Sequence, residues 1–433
     1  MVGAFDPKFQ PKTSGTETSG TGESVGGRAG IPGSQASRRT ALGLILGAPL
    51  LGACASVQQS VSQFSVPNPF SSSSSAPPPP GSAGGPAQPV AIGNGSVKVA
   101  LILPLSAGGN AAVAAQSMKN ASEMALAEFL NPNLQLLIKD DAGSPQGAQQ
   151  AAQQAVDEGA EIILGPLFAA SVPAVAQVAR SRNISVIAFS TDSSVASRGV
   201  YLLSFLPESD VNRIVDYAAA TGKRSFIAML PDNAYGNVVE AAFKQAVPRR
   251  GGRVVAFEKY GADRAAAARN VVAALAQADS LLLADDGDAV VTVADGLVAA
   301  GANLKNVQLL GTGLWDNPRV FASPNMQGGL YAAPDPAGFR AFAARYRNKY
   351  RAEPVRTATL AYDAVALVAA LSRSQGGGKR FTSEVLLNAS GFAGIDGLFR
   401  FKAEGTNERG LAVMKVATGG PTPIAGSPRS FGA

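Results

Sequence analysis

The side chains that most often carry catalysis are scarce in this sequence. The 433-residue chain contains no histidine and a single cysteine, Cys54. The lack of histidine excludes Ser-His-Asp and Cys-His catalysis, histidine-ligated metals and a histidine pH switch. One cysteine forms neither an internal disulfide nor a cysteine cluster for zinc or iron–sulfur. The remaining mechanisms need a Ser-Lys or paired-carboxylate arrangement, and none is visible. We therefore expect a protein that is not an enzyme and has no cofactor.

Two polar clusters have the composition of ligand-binding loops but lack the required spacing. The sequence DDGD at 285–288 has half of a calcium loop, yet the later glutamate is missing. Residues 376–383 contain glycine and lysine, but Arg380 stands where a phosphate-binding loop needs Ser or Thr. We interpret the first as a strand exit followed by a helix cap, and the second as a surface loop. We expect no metal site.

The N-terminal residues predict export and lipid attachment. Arg38 and Arg39 precede a mostly apolar run, 41–53. As a helix this run spans roughly 20 Å, less than the roughly 30 Å of a bilayer core. Charged, apolar and small residues in this order are typical of a secretory signal. Residues 51–54, LGAC, resemble a bacterial lipobox, which implies cleavage between Ala53 and Cys54 and a diacylglycerol on the Cys54 sulfur.

The export route stays open at this point. Residues 37–42, SRRTAL, resemble a twin-arginine signal in part, because a bulky apolar residue is usual where Ala41 stands. Sec export is an equal alternative, and a mis-assigned start codon would also explain the long preceding segment. Residues 1–53 are predicted to be a signal peptide with a long n-region. Residues 54–96, rich in Ser, Pro and Gly, are predicted to be a disordered, lipidated tether.

From residue 97 onward, nearly all-apolar runs alternate with helical patterns. The predicted strands are 97–105, 134–140, 161–165, 185–190, 200–205, 225–230, 252–260, 280–284 and 307–311. Such alternation is typical of parallel sheets covered on both faces, and the units are too many for one ordinary sheet. We predict an α/β fold with two doubly wound parallel-sheet lobes and a ligand cleft at the strand carboxyl ends.

The chain is predicted to cross between the two lobes several times. Lobe 1 is assigned to 97–214 and 334–396, and lobe 2 to 215–333 and 397–418, where a final hairpin is expected to join lobe 2. Residues 419–433 are predicted to be a flexible tail. Ser144 and Pro145 are expected to start a helix as its N-cap and first residue.

Local signatures after the predicted strands resemble the type I periplasmic-binding-protein fold, in particular its leucine/isoleucine/valine-binding branch. They are KDDAGSPQGAQQAAQQAV (139–156), ILGPLFAAS (163–171), VIAFSTDSS (186–194) and PDNAYG (231–236). The resemblance covers roughly residues 97–418. Within it, residues 165–176 and 186–218 are most similar to penicillin-binding-protein activator lipoproteins (LppC-like). Enteric members carry an extra N-terminal helical-repeat domain, where this chain has the low-complexity tether.

The resemblance implies a lipid-anchored protein of the outer membrane that faces the periplasm and activates a class A penicillin-binding protein, the peptidoglycan synthase. It would contact the membrane through its lipid anchor only. The alternative is a solute-binding lipoprotein of an ABC importer, whose partners would be a permease and a small branched-chain or other amino acid. The net charge is +6, but no basic run is interleaved with aromatic residues, so no nucleic-acid partner is expected.

The amino-acid-binding branch also implies ligand-binding positions in this chain. Ser171 matches the helix start that receives the ligand carboxylate. Ser190, Thr191 and Asp192 match the loop after the fourth strand, and Tyr235 matches the tyrosine of the second lobe. Helix capping and loop hydrogen bonding are an equal alternative for Ser171, Thr191 and Asp192, as is packing at the cleft edge for Tyr235.

On the opposite wall the match fails. The run 285–288 replaces an expected aromatic residue, and Gly313 replaces an expected acidic one, with Trp315 and Asp316 close by. Burying an ammonium group without a carboxylate partner costs on the order of several kcal/mol. Asp192 or Asp285 would have to supply that partner.

Overall fold

A computed structural model describes residues 90–129, 132–374 and 380–431. The predicted signal peptide and most of the tether, including Ala53 and Cys54, lie outside the described residues. The strands are β1 Val90–Ile92, β2 Val97–Leu103, β3 Leu134–Asp140, β4 Ile162–Leu164, β5 Ser185–Ala188, β6 Val200–Leu202, β7 Ser225–Pro231, β8 Arg253–Tyr260, β9 Ser280–Leu283, β10 Gln308–Gly311, β11 Leu330–Ala333, β12 Phe392–Gly394, β13 Gly397–Phe401, β14 Asn407–Arg409, β15 Ala412–Ala417 and β16 Gly420–Ala425.

The helices alternate with these strands. They are α1 Gly109–Glu128, α2 Pro145–Asp157, α3 Val172–Ser181, α4 Pro207–Ala220, α5 Ala234–Arg249, α6 Arg264–Leu275, α7 Gly287–Ala299, α8 Pro318–Ala322, α9 Pro336–Tyr350, α10 Ala358–Ser374 and α11 Ser383–Leu386. Within the described ranges, no helix combines the length and apolar character needed to cross a bilayer.

The first sheet has the order β1-β3-β2-β4-β5-β6 in the described part of the chain. Its strands are parallel except β1, which pairs antiparallel with β3. One face packs against α1 and α10, and the other against α2 and α3. The nearly all-apolar strands predicted from the sequence follow from this burial on both faces.

The second sheet has the order β16-β15-β11-β10-β9-β7-β8. One face packs against α6 and α7, and the other against α4 and α5. Strands β12, β13 and β14 form a small antiparallel sheet, and Phe399 and Phe401 from it enter the core of the first lobe. The predicted α/β fold with two parallel-sheet lobes is confirmed.

Local sequence signals placed most elements correctly. Each of the nine predicted strands forms, with ends that differ by a few residues. Ser144 caps α2, because its Oγ accepts a hydrogen bond from the Gly147 N–H at 3.0 Å, and Pro145 occupies the first turn.

The structure differs from the predicted boundaries at both ends of the fold. Residues 90–92 were assigned to the tether but form β1, and residues 420–425 of the predicted tail form β16, paired with β15. Pro421 and Pro423 made this segment resemble a flexible tail in its composition. Proline is nevertheless tolerated in an edge strand, and β16 lies at the edge of the second sheet. The expected final hairpin does not form, because β13 pairs with β12 and β14 while β15 joins β11.

Three segments of the described chain connect the lobes: 203–206 between β6 and α4, 334–335 between β11 and α9, and 410–411 between β14 and β15. Helix α4 lies after the first of them, and its Val211 and Ile214 pack in the core of the second lobe. The sequence assigned residues 207–214 to the first lobe, because the restart of the strand pattern at β7 is a clearer signal than the helix that precedes it.

Candidate functional site

The loops that follow the parallel strands form the candidate cleft. In the first lobe they follow β2, β3, β4 and β5, and in the second they follow β7, β9 and β10. Ligands of doubly wound folds bind at such carboxyl ends. All five residues matched from the sequence lie in these loops or in the helix starts that follow them.

Ser171 lies beneath the cleft surface. The chain makes a 3₁₀ turn over Ala169–Ser171 before α3 begins at Val172. The Ser171 side chain is 0% exposed, and its Oγ has no hydrogen-bond partner among the described residues. The hydroxyl therefore does not cap α3.

Ser190 and Asp192 are engaged within their own loop. The Ser190 Oγ accepts a hydrogen bond from the Asp192 N–H at 3.0 Å. Asp192 Oδ1 accepts from the Ser194 N–H at 2.9 Å and from the Ser194 hydroxyl at 2.6 Å, so it caps the 3₁₀ turn Ser193–Val195. Thr191 lies between them and is partly exposed. This geometry matches the capping alternative.

Tyr235 lies in the first turn of α5, which Asn233 caps. Its hydroxyl shares a hydrogen bond with Thr312 Oγ1 at 2.8 Å. Burial raises the pKa of the phenol above its usual range. Tyr235 is thereby tied to the loop after β10 and is neutral at physiological pH.

On the opposite wall, the carboxylate of Asp285 is already hydrogen-bonded. Asp285 Oδ2 accepts from the Tyr260 hydroxyl at 3.0 Å, and Oδ1 accepts from the Asp286 N–H at 2.8 Å. Burial raises the pKa of Asp285, which disfavours its charged form. Both oxygens thus already have hydrogen-bond partners.

Trp315 and Asp316, close to the expected acidic position, have different surroundings. Trp315 is 0% exposed, and its indole N–H donates to the Leu283 carbonyl at 2.9 Å. It fills the core of the second lobe and does not reach the cleft. Asp316 is exposed and accepts a long hydrogen bond, 3.4 Å, from the Tyr331 hydroxyl.

The first of the two polar clusters noted in the sequence, 285–288, forms a helix cap. Asp286 caps α7 by accepting from the N–H groups of Asp288 and Ala289, so the interpretation as a helix cap is confirmed. In the described ranges, no group of three or more Asp, Glu, Cys or His side chains is placed to hold a metal ion. Of the second cluster, residues 376–379 lie outside the described residues, and Phe381 is buried in the first lobe.

Asp141 is a cleft residue that the sequence analysis did not single out. It follows β3, is 0% exposed, and accepts from the Gly143 N–H at 2.8 Å through Oδ1. Burial raises its pKa to about 6, and Oδ2 has no hydrogen-bond partner among the described residues. The sequence signal for this residue was the pair Asp140-Asp141 at the end of the predicted strand 134–140.

A buried cluster of charges holds the crossover segments together. Arg356 binds Asp396 with both Nη atoms, one at 2.8 Å to Oδ2, and Thr359 donates to the same carboxylate at 2.6 Å. The guanidinium carbons of Arg356 and Arg409 lie 4.6 and 4.7 Å from the ring centroid of Phe205, between them. The Arg409 Nε donates to the Ser204 carbonyl at 2.8 Å. This cluster ties the first crossover to the third.

Solved structures of transport proteins share this architecture. A protein from Rhodospirillum rubrum described as a branched-chain amino acid ABC transporter superposes with a TM-score of 0.67 at 20% identity, covering 76% of this chain and 99% of the other. A branched-chain amino acid ABC transporter ligand-binding protein from Burkholderia xenovorans gives a TM-score of 0.62 at 18% identity, covering 78% and 97%. At these identities the likeness shows the fold alone.

Sequence relatives point to a different class of binding protein. The penicillin-binding protein activator LpoA of Enterobacter sp. (strain 638) is 26% identical over 132 residues, which is 30% of this chain and 18% of that protein. An uncharacterized protein of Rickettsia prowazekii (strain Madrid E) is 22% identical over 164 residues, 38% of this chain and 43% of that protein. The chain thus spans less than a fifth of the Enterobacter activator's length.

The relatives of known role are binding or activator proteins rather than enzymes. A family model described as "Periplasmic binding protein" matches residues 96–421, more than half of the chain. That range contains the three crossover segments and both sheets apart from β1 and most of β16. By fold and by this match, the chain belongs to the periplasmic binding protein family.

Proposed function

We propose that this protein is a lipid-anchored, periplasm-facing regulator that activates a class A penicillin-binding protein by direct contact. The observation that carries the proposal is the state of the cleft, in which the polar groups matched to an amino-acid ligand, apart from the partly exposed Thr191, are buried or bonded within their own lobe. This state favours a protein that acts by presenting its surface to another protein.

The cleft supports this proposal residue by residue. Ser171 is buried, Asp192 caps a turn, and Asp285 is bonded to Tyr260 and to its neighbouring amide. An ammonium group brought to Asp285 would have to displace the Tyr260 or Asp286 hydrogen bond, and burying it without a charged partner costs on the order of several kcal/mol.

The relatives supply the class of partner. Penicillin-binding protein activators are similar to this chain over 132 residues, and the periplasmic-binding fold and these relatives together favour a periplasmic, envelope-associated location. The lipobox-like residues that end at Cys54 favour a lipid anchor, and the name of the activators favours a peptidoglycan synthase as the partner.

The test is affinity purification of the full chain from detergent-solubilised envelopes, with Cys54→Ser as the matched variant. We expect a class A synthase to co-purify and the wild-type protein to fractionate with membranes. The Cys54→Ser protein should move to the soluble fraction and still bind the purified synthase, because the anchor and the binding surface are separate parts of the chain.

Activation itself is measured by glycan polymerisation with the purified synthase. We expect the full chain to raise the initial rate, and an unchanged rate together with the absence of any synthase in the purification would contradict the proposal. If the synthase binds but Cys54→Ser stays in the membrane fraction, the lipid anchor is wrong and the activator role stands.

The alternative, a solute-binding lipoprotein of an ABC importer, is favoured by one observation. The shared architecture covers 99% of the Rhodospirillum rubrum chain and 97% of the Burkholderia xenovorans chain, both described as ABC transporter proteins. Calorimetry with the twenty amino acids separates the two functions. A saturable ligand at micromolar concentration, whose binding is lost in both Ser171→Ala and Tyr235→Ala, would favour transport over activation.

A further inference from the structure

A cavity of about 580 Å³ lies beside the crossover segments. We call it the hinge cavity, because Leu206 of the first crossover and Leu411 of the third line it. Its walls come from α4, the C-terminal end of α5, the turn between β13 and β14, and the C-terminal residues Pro428 and Phe431. We propose that the hinge cavity binds a small oxyanion, a phosphate or carboxylate group, between the two lobes.

The cavity lining has more basic than acidic side chains. The basic residues are Arg213, Arg249, Arg250, Lys402 and Arg409, and the acidic ones are Glu208, Asp216, Glu404 and Glu408. One of these acids is already neutralised from outside the lining, because Arg400 binds Glu408 at 2.8 Å. Within the lining, Lys402 also binds Glu404 at 3.0 Å, so the lining has one more basic than acidic side chain, and Arg213, Arg249 and Arg409 are the candidates for an incoming anion.

Two arginines share one carboxylate at the α4–α5 wall. Arg250 binds Asp216 through Nε at 2.6 Å and through Nη2 at 2.7 Å. Arg249 lies 3.6 Å from the same carboxylate and donates to the neutral amide of Asn212 at 3.0 Å. Asp216 neutralises one guanidinium of the pair, and the second retains its charge at the cavity wall.

Arg213 is bonded to neutral carbonyl oxygens. Its Nε donates to Leu411 at 2.8 Å and its Nη2 to Gly426 at 3.4 Å. Burial lowers its pKa, the direction expected for a cation that has lost water. An oxyanion beside Arg213 would compensate that loss, since guanidinium groups bind carboxylate and phosphate with paired hydrogen bonds.

Arg409 is the most buried of the basic residues that line the cavity, at 5% exposed. Its Nη1 and Nη2 have no hydrogen-bond partner among the described residues. Asp363 and Asp396 attract its charge from the side of the first lobe. The buried guanidinium keeps hydrogen-bonding capacity that neither lobe uses in this conformation.

A ligand in the hinge cavity would contact both lobes. Lys402 and Thr406 lie on the β13–β14 turn, which is fixed to the first lobe because the Leu202 N–H donates to the Gly405 carbonyl at 2.8 Å. Arg213 and Arg249 lie on helices of the second lobe. An anion held between these walls would fix the angle between the lobes. The cavity volume is that of a small-molecule site.

Isothermal titration of the full chain with inorganic phosphate and with citrate, at constant ionic strength set by chloride, tests the proposal. We expect saturable binding with a Kd below about 1 mM and a rise in Tm with ligand concentration. The double variant Arg249→Gln/Lys402→Gln, whose side chains are half exposed, should bind at least about tenfold more weakly, because it removes a charge from each wall. The control Arg340→Gln, an exposed residue of α9 outside the cavity, should bind as the wild type does.

Arg213→Lys is a second variant that keeps the charge and removes the paired geometry. Weaker binding by Arg213→Lys, at unchanged Tm without ligand, would support a guanidinium site. The proposal is overturned by a lack of saturation up to about 10 mM, or by equal binding in the double variant and the control. Vesicles of phosphatidylglycerol that compete with free phosphate would identify a lipid headgroup as the source of the anion, and a lack of competition would identify a soluble ligand.

Discussion

At the scale of residues, buried charge is concentrated at the crossover segments. Asp396 is 0% exposed and is bonded to Arg356 and Thr359. The two cations beside it hold its pKa below the usual range against the cost of burial. Removing one partner of such a pair strongly destabilises the fold, because the other partner then stays buried and charged without a compensating charge.

Arg356→Met should therefore destabilise the protein strongly. We expect the free energy of unfolding to fall by about 3–5 kcal/mol, since Asp396 would remain buried with Thr359 as its chief partner. The matched control is Arg347→Met, whose partner Glu353 is 70% exposed, and which should cost less than about 1 kcal/mol. Denaturant unfolding followed by circular dichroism measures both, and equal losses would contradict the interpretation.

At the scale of elements, a close contact positions the loop after β10. The 3₁₀ turn Gly313–Trp315 folds the indole back over its own strand, and a Cβ at Gly311 would lie 2.2 Å from the Trp315 ring. A Cβ at Gly329, just before β11, would lie 2.8 Å from the same ring. Glycine at both positions gives the indole its place in the core, and this packing fixes where Thr312 and Gly313 lie at the cleft.

Gly311→Ala should destabilise the second lobe by about 1–3 kcal/mol, the usual cost of overpacking. The control is Gly261→Ala, because a Cβ there meets nothing within 4 Å, and its effect should stay within about 0.5 kcal/mol. Thermal unfolding with Trp315 fluorescence reports on the indole directly, as it is the chain's one tryptophan. An unchanged Tm for Gly311→Ala would mean that the ring moves at no cost.

At the scale of the whole molecule, two buried carboxyl groups link stability to pH. Burial raises the pKa of Asp363 from 3.8 to about 7, and that of Asp210 also to about 7. Asp363 lies in α10 of the first lobe and accepts from the Ile395 N–H, while Asp210 lies in α4 and accepts from the Gly313 N–H. Each folded-state pKa lies above its unfolded value, so the folded protein holds protons that the unfolded chain releases.

Stability from these groups is fully present below pH 3.8 and is lost as pH rises towards 7. Each group contributes a slope of up to about 1.4 kcal/mol per pH unit in that range. Asp363→Asn should remove the pH dependence that this one group contributes to the free energy of unfolding. The free energy of the variant minus that of the wild type should therefore increase between pH 5 and pH 7. Urea unfolding at half-unit pH steps measures it, and a pH-independent difference would show that Asp363 is charged in the folded protein.

The candidate site was less predictable than the fold. The capping pattern at Ser144 and the run at 285–288 are local, and both gave correct predictions. Arg356, Asp363 and Arg409 were missed, because their partners Asp396, Ile395 and Ser204 lie more than 30 residues away in the sequence. The predicted ligand residues Ser171, Ser190, Thr191, Asp192 and Tyr235 stay a prediction.

The sequence alone determined the alternation of buried strands and helices, because burial on both faces of a parallel sheet requires apolar residues throughout each strand. It also determined the absence of histidine chemistry. Tertiary structure decided which polar groups remain free, since a hydrogen bond such as Tyr260 to Asp285 or Tyr235 to Thr312 joins distant loops. It decided, too, that β16 completes the second sheet and that basic residues of α4, the end of α5, the β13–β14 turn and β14 meet at the hinge cavity. Neither follows from local pattern, because chain topology alone brings those segments together.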